Sequence, residues 1–287
     1  MLHRAAALAA LCLAAANAES AVITTTDIEY ARVADEALLL DLYRPDATNA
    51  APLLVYVHGG AWEAGAKTPM PLTALVEHGY AIASLDFRPA SRARFPGQVH
   101  DIKAAIRYLR ATAAQHGYDA SRIGIIGASS GAHLADLVGV TNGHKELEGN
   151  LGGHTGTSSD VQAIVSYFAA TNLTTILAQS TPFGVRIREP ALQRLLGALP
   201  DANEAVAKLA SPVFHVDAND PPLLLLHGDQ DPQMPINQSH ELQGVYERTG
   251  LESTFIVVHG AAHGGDAFYS DANIASVAEF LDRHLRK

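Results

Sequence analysis

Cysteine is all but absent: Cys12 stands alone in 287 residues. A disulfide framework is therefore excluded, and so are paired-cysteine redox and zinc motifs. Positive charge is also scarce. Lys and Arg number 20 against 30 Asp and Glu, for a net charge of −10. A surface that wraps nucleic acid takes most of its affinity from positive potential, so no nucleic-acid partner is expected. No internal repeat and no low-complexity linker interrupts the chain. There is no G-x-G-x-x-G, because Gly124, Gly127 and Gly131 are wrongly spaced. There is no H-E-x-x-H. His259 and His263 are four apart, but in a glycine-rich loop, where that spacing puts no two ligands on one face. Asp229-x-Asp231 lacks the central glycine and the distal glutamate of a calcium loop. Neither a metal nor a cofactor is expected.

What the chain does have is apolar material, 48% of residues with only 17% charged. That is ample for a core and excludes disorder, collagen-like repeats and coiled coil as whole-chain descriptions. The first residues read as a cleavable signal peptide. Arg4 carries the leading charge, Ala5 to Ala15 is apolar, and Ala16-Asn17-Ala18 is a small-x-small cleavage site. The run is too short to span a bilayer. Leu11 is not the small residue that a lipoprotein box wants before Cys12. The expectation is a secreted or periplasmic protein cleaved after Ala18; the alternative is an N-terminal helix of the folded domain.

From Glu19 to Lys287 the pattern alternates. Ala21–Tyr30 and Ala37–Tyr43 read as a hairpin, and Leu53–Val57 as a strand buried on both faces. Further strands are expected at Tyr80–Phe87, Arg122–Ile126, Val161–Phe168, Leu223–Leu226 and Thr254–Val258. Helices are expected at Met70–His78, Gly97–His116, after Ile126 through Gly139, and at Ile274–Leu285. This rhythm predicts one α/β domain, a three-layer sandwich around a mostly parallel sheet of about eight strands. Gly143–Ser159 reads as a long surface loop, and Leu173–Ala210 as a small cap insertion with one or two short helices.

Gly127-Ala128-Ser129-Ser130-Gly131 is a G-x-S-x-G lying between a strand and a helix. A serine there sits on a sharp turn with helix N–H groups beside it. His58-Gly59-Gly60-Ala61-Trp62 follows the buried strand, and its glycines can turn backbone N–H groups inward. His58 is expected to hold this loop by hydrogen bonds. The acid should follow the nucleophile and precede the base. Asp229 and Asp231 lie past the strand Leu223–Leu226; Asp231 is preferred, and Asp229 is expected to bond its own loop backbone. His263, in a loop of tiny residues, is the expected base, with His259 still paired into the sheet. A serine hydroxyl is a weak nucleophile, so it needs an imidazole to take its proton and a carboxylate to fix that imidazole.

With these motifs the chain resembles the α/β-hydrolase esterases, and within them the bacterial feruloyl esterase-like (BD-FAE-type) carboxylesterases. It is more loosely similar to carboxylesterases of the hormone-sensitive-lipase kind. The residues carrying the likeness are HGGAW at 58–62, DFR at 86–88, FPGQVHDIKAAIRYLR at 95–110, YDASRIGIIGASSGAHLA at 118–135, ELEGNLGG at 146–153, HGDQDPQMP at 227–235 and GAAHGG at 260–265. The resemblance implies an α/β-hydrolase fold and a triad of Ser129, Asp231 and His263. It implies oxyanion donors at Gly60, Ala61 and Ser130, with Trp62 either lining the acyl pocket or packing beneath the loop. Ala61 stands where the family often has a fourth glycine, which leaves a backbone N–H available all the same. The function so implied is a secreted serine esterase that acts through an acyl-enzyme on short-chain, aryl or carbohydrate esters, small or polysaccharide-linked. The alternatives are a serine exopeptidase of the same fold and a non-catalytic hydrolase-like binding protein.

Overall fold

The computed structural model describes residues 21–46 and 50–286. The expected signal peptide at 1–18 lies outside them. Eight strands form one sheet: β1 (Val22–Val33), β2 (Glu36–Pro45), β3 (Ala51–Val57), β4 (Ala81–Leu85), β5 (Tyr118–Ala128), β6 (Ala163–Tyr167), β7 (Leu223–Gly228) and β8 (Ser253–Val258). Their order is β1-β2-β4-β3-β5-β6-β7-β8. β1 and β2 form the expected hairpin, and β2 runs antiparallel to β4. Every pairing from β4 onward is parallel.

The sheet divides the core in two. Along β3, Leu53, Val55 and Val57 pack on one face, while Leu54 and Tyr56 pack on the other. This is why LLVYV is apolar at every position: a strand covered on both sides has no solvent face. The first face is covered by α2 (Gly97–His116), α3 (Ser130–Gly139) and α8 (Asn237–Thr249), through residues such as Val99, Leu134 and Leu242. The second is covered by α1 (Thr73–Glu77) and α9 (Asp271–Leu285), through Leu75, Val277 and Phe280. The result is the expected three-layer sandwich. Gly117 closes α2 in the left-handed conformation, the usual glycine stop.

Three details differ from the sequence expectations. The stretch 143–159 is not all loop. It contains α4 (Lys145–Glu148), and Glu148 accepts from Lys103 at 3.1 Å and from Arg107, both buried on α2. The 173–210 insertion carries three helices instead of one or two: α5 (Ile176–Gln179), α6 (Pro182–Leu196) and α7 (Glu204–Leu209). Between β7 and β8 lies α8, whose buried Leu242 and Tyr246 are one helical turn apart. That i, i+4 pair and the left-handed Gly250 after it are the signals a sequence reading could have used. No helix among the described residues is long and apolar enough to cross a membrane.

Parallel pairing also aligns the strand ends. Val57 lies opposite Gly127, Ala128 opposite Tyr167, Tyr167 opposite Leu226, and Gly228 opposite Val258. The loops leaving β3, β5, β7 and β8 therefore emerge along one edge, where open parallel sheets place their ligands.

Candidate active site

Ser129 occupies the turn from β5 into α3 with φ 56° and ψ −123°. A non-glycine residue in this region costs about 1–3 kcal/mol and persists only where its surroundings enforce it. Here they do. Ser129 N–H donates to Tyr167 O at 2.9 Å, and Ser129 O accepts from His133 N–H at 3.0 Å. The flanking glycines are required by contact. A Cβ on Gly127 would stand 2.3 Å from Gly131 O, and one on Gly131 would stand 2.2 Å from Val57 O. G-x-S-x-G is thus the signature of a helix start pressed against two strand ends.

The elbow brings Ser129 Oγ to 2.8 Å from His263 Nε2. His263 Nδ1–H donates to Asp231 Oδ2 at 2.6 Å, which leaves Nε2 free to accept the serine proton. The Asp231 side chain is fully buried and its other oxygen, Oδ1, accepts from the N–H groups of Gln233 and Met234, each at 2.8 Å. His227, to which the sequence assigned no role, is also here. It lies 3.4 Å from Asp231 Oδ2 and bonds Ser239 Oγ and Met234 O with its two ring nitrogens. Burial alone would raise the Asp231 carboxyl. Hydrogen bonds from His227 and His263, the His263 charge and the Met234 N–H outweigh it, and hold the group well below the usual carboxylate range. Phe168, itself at φ 43°, sets its ring edge-on to the His263 imidazole at 4.8 Å.

Asp229 and His259 sit elsewhere than expected. Asp229 does not bond its own loop's backbone; within the loop only the Gln230 side-chain amide donates to it, at 3.3 Å. The carboxylate reaches across to accept from His259 Nδ1 and Gly260 N–H, each at 2.8 Å. His259 is one residue beyond β8 and its side chain is 83% exposed, so it is not paired into the sheet. The pair clasps two loops at the surface, away from Ser129. His259's hydrogen bond and the Gly260 N–H lower the Asp229 carboxyl.

On the opposite side of Ser129, the loop after β3 folds back on itself. Gly60 O accepts from the N–H groups of Glu63 and Ala64, at 3.0 and 2.9 Å. Gly60, Ala61 and Trp62 all have positive φ, 127°, 54° and 62°. A Cβ on Gly60 would fall 2.0 Å from Ala64 O, so glycine is obligatory there. Among the described residues, the N–H groups of Gly60, Ala61 and Ser130 donate to no protein acceptor. Gly60 and Ala61 line the cavity with Ser129, while Ser130 is buried at the first turn of α3. His58 Nδ1–H donates to Gly59 O at 2.7 Å and the ring stacks on Phe87 at 4.4 Å, which ties the loop down. Burial lowers its pKa, keeping the imidazole neutral.

Trp62 does not line the cavity. It is 1% exposed and packs beneath the loop, donating its indole N–H to His133 Nδ1 at 3.0 Å. His133 Nε2–H then donates to Ala210 O at 2.6 Å. Burial pushes His133 down to about 4, against the Ala210 bond, so it stays neutral and can serve as both donor and acceptor. Of the two roles left open for Trp62, packing is the one its position fits.

The cavity at Ser129 has a volume of about 290 Å³. Besides Ser129, His263, Gly60 and Ala61, its walls include Phe168 and Gln233, with Ile187 and Arg188 coming from α6. The insertion thus forms one wall of the cavity. Together the groups can do one kind of chemistry well. They can deprotonate a hydroxyl, hold the resulting imidazolium beside a carboxylate, and offer N–H donors to a developing oxyanion. Among the described residues no cluster of three or more His, Cys, Asp or Glu side chains is placed to hold a metal ion.

A family model for BD-FAE matches residues 40–246. The chain belongs to the BD-FAE family. As a BD-FAE protein it is similar to esterase LipQ of Mycobacterium tuberculosis (strain ATCC 25618 / H37Rv), 31% identical over 267 residues that make up 91% of this chain and 62% of LipQ. It is also similar to esterase LipC of the same organism, 30% identical over 81% of this chain and 58% of LipC. The chain therefore spans less than two thirds of the length of these relatives. Among solved structures it is similar to a truncated carbohydrate esterase from gut microbiota, with a TM-score of 0.83 and 32% identity over 95% of this chain and 99% of that one. It also matches the propionate-bound esterase Est2 of Thermogutta terrifontis, with a TM-score of 0.72 and 25% identity over 93% of this chain and 94% of that one. The fold of this BD-FAE chain is the α/β-hydrolase fold.

Proposed function

We propose that this protein is a serine carboxylic-ester hydrolase that works through an acyl-enzyme. The observation that carries the reading is the unbroken chain Ser129–His263–Asp231, at 2.8 and 2.6 Å, facing free backbone N–H groups across a small cavity. In the first half-reaction Ser129 Oγ attacks the ester carbonyl carbon while His263 Nε2 takes its proton. The carbonyl oxygen becomes an oxyanion held by N–H groups of Gly60, Ala61 and Ser130. His263 then returns the proton to the leaving alcohol, and the acyl group stays on Ser129. Water repeats the sequence, giving up a proton to His263 and releasing the acid. Asp231, kept ionised by its four partners, holds the productive tautomer and stabilises the imidazolium.

The proposed substrates are short-chain, aryl or carbohydrate esters; the esterase names of its relatives support an ester, and the carbohydrate esterase among its structural neighbours supports a carbohydrate ester. A neutral ester such as 4-nitrophenyl acetate should be turned over. A fluorophosphonate probe should label Ser129 and not Ser130, read by peptide mass. Absence of turnover across acetyl, butyryl and feruloyl esters, with peptides cleaved instead, would transfer the site to the peptidase reading. We further propose export, with cleavage after Ala18; the charge, apolar run and small-x-small pattern of residues 1–18 support it. N-terminal sequencing of the protein recovered from a bacterial periplasm tests that site.

A further inference from the structure

We propose that Arg188 selects the substrate: its guanidinium binds a carboxylate that the ester carries close to the scissile bond. The proposal rests on the esterase reading and adds a substrate class to it. Among the described residues three cations are buried: Lys103, Arg107 and Arg188. Lys103 and Arg107 share Glu148. Arg188, only 4% exposed, has no acidic partner among the described residues. It donates Nε–H to Gln233 O at 2.8 Å, and its two terminal nitrogens donate to no group among the described residues. Those nitrogens belong to a side chain that lines the cavity with Ser129 and His263.

The terminal nitrogens open onto the cavity, and a guanidinium withdrawn this far from bulk water without a counter-ion is costly to keep idle. No acidic side chain lines this cavity. Asp231, whose charge reaches Arg188, is already engaged by His263, His227 and two backbone N–H groups. Burial pushes the guanidinium down to about 10, against that pull, so it stays charged at neutral pH. What the site lacks is an acceptor-only, negatively charged, planar group. A carboxylate meets all three needs, because its two oxygens match the planar fork of donors. A sugar hydroxyl would satisfy a donor but leave the charge uncompensated. Of the rest of the wall, Phe168, Ile187, Ala61 and Ala128 are apolar or small, and Gln233 brings only a neutral amide, which cannot compensate the charge.

The carboxylate can belong to the acyl or to the alcohol part, and two matched pairs of substrates separate these. 4-Nitrophenyl hemisuccinate against 4-nitrophenyl butyrate tests the acyl side. 4-Acetoxybenzoate against 4-acetoxybenzamide tests the alcohol side. In Arg188→Gln the anionic-to-neutral ratio of kcat/KM should fall at least ~10-fold in one pair, chiefly through KM, as expected for a lost charge-assisted bidentate contact. Arg188→Lys, which keeps the charge but not the fork, should fall between. Ratios within twofold of wild type in both pairs, or an equal loss on anionic and neutral esters, would overturn the proposal. Since Arg188 also ties α6 to the Gln233 loop, a measurement on the unaltered protein guards against misfolding. Succinamate against uncharged succinamide, or 4-hydroxybenzoate against 4-hydroxybenzamide, should inhibit butyrate-ester hydrolysis at least ~10-fold more strongly on the side that carries the carboxylate, and equal or absent inhibition in both pairs overturns the proposal. If the wild-type protein fails to hydrolyse 4-nitrophenyl butyrate, the esterase reading itself fails; if it hydrolyses that ester with unmoved ratios, only the role of Arg188 does.

Discussion

Ser129, Asp231 and Asp136 show three different uses of one side chain's surroundings. Ser129→Ala should lower kcat by about 10⁶ while the melting temperature stays close to wild type, since only an oxygen is lost from the turn. Single-turnover assays beside thermal melts check both halves. Asp231→Asn should cost about 10⁴ in kcat, because the carboxamide can no longer stabilise the imidazolium or fix its tautomer. Asp229→Asn should leave kcat far closer to wild type and act on melting alone, since its contacts are His259 and Gly260 at the surface. If Asp229→Asn is the more crippled while melting normally, the acid lies two residues earlier. Asp136 is a carboxyl of the opposite kind. It is buried in α3, bonded by Ser166 Oγ at 2.8 Å and with its other oxygen unpartnered. Desolvation raises it well above the usual carboxylate range, more than the Ser166 bond lowers it. The folded state therefore holds a proton that the unfolded chain has released above about pH 4. The stability this group contributes is complete below that pH and falls as pH rises toward its folded value. The melting temperature of Asp136→Asn minus that of wild type should accordingly grow between pH 5 and 8; a difference flat with pH would rule out a protonated Asp136.

At the scale of elements, the junction of β3, β5 and α3 is where the fold makes the site. Gly131 lies against Val57 O and His58 O, so Gly131→Ala must push α3 away from the loop that carries Gly60 and Ala61. A loss of about 1–3 kcal/mol or more is expected, with activity falling alongside it because nucleophile and oxyanion donors move apart. Gly156→Ala, with nothing within 4 Å, should be within about 0.5 kcal/mol of wild type. Chemical denaturation of the two variants makes the comparison. The same junction explains what was legible at this scale. β3 declared itself because five successive apolar residues leave no solvent face, and α2 because its apolar stripe is long and ends on Gly117. α1 came out shorter than expected at Thr73–Glu77, and α8 was not seen beforehand. A helix as short as α1 is set by the surface it packs on, which is not in the local sequence, whereas α8 had local signals in Leu242, Tyr246 and Gly250 that a sequence reading could have used.

For the molecule as a whole, the connections between layers matter more than any single layer. Trp62, His133 and Ala210 form a buried line from the loop after β3, through α3, to the end of the insertion. Glu63 and Arg194, 2.9 Å apart, add a second tie between that loop and α6. Trp62→Phe would leave His133 Nδ1 buried without its donor, at a cost of about 1–3 kcal/mol. The melting temperature should drop by several degrees while the preference for acyl chain length is unchanged, since Trp62 is outside the cavity. A changed acyl-length profile with an unaltered melt would instead return Trp62 to the acyl pocket.

Much of this protein was decided by local pattern. The α/β layering, the strand that precedes each loop, and the glycine frame around Ser129 follow from hydrophobic periodicity and from where a Cβ cannot fit. Periodicity acts along one strand or helix, and the Gly127–Gly131 and Gly60–Ala64 contacts act between near neighbours, so these are written in consecutive residues, whereas Gly131 also answers to Val57 O and His58 O of another element. Other features belong to tertiary structure alone. Asp229 clasping His259, Trp62 turned beneath its loop onto His133, and Arg188 lining the cavity with Ser129 all join residues from separate elements. A side chain's partner across such a distance is fixed by sheet order and by the packing of the insertion, and no spacing in the sequence records either one.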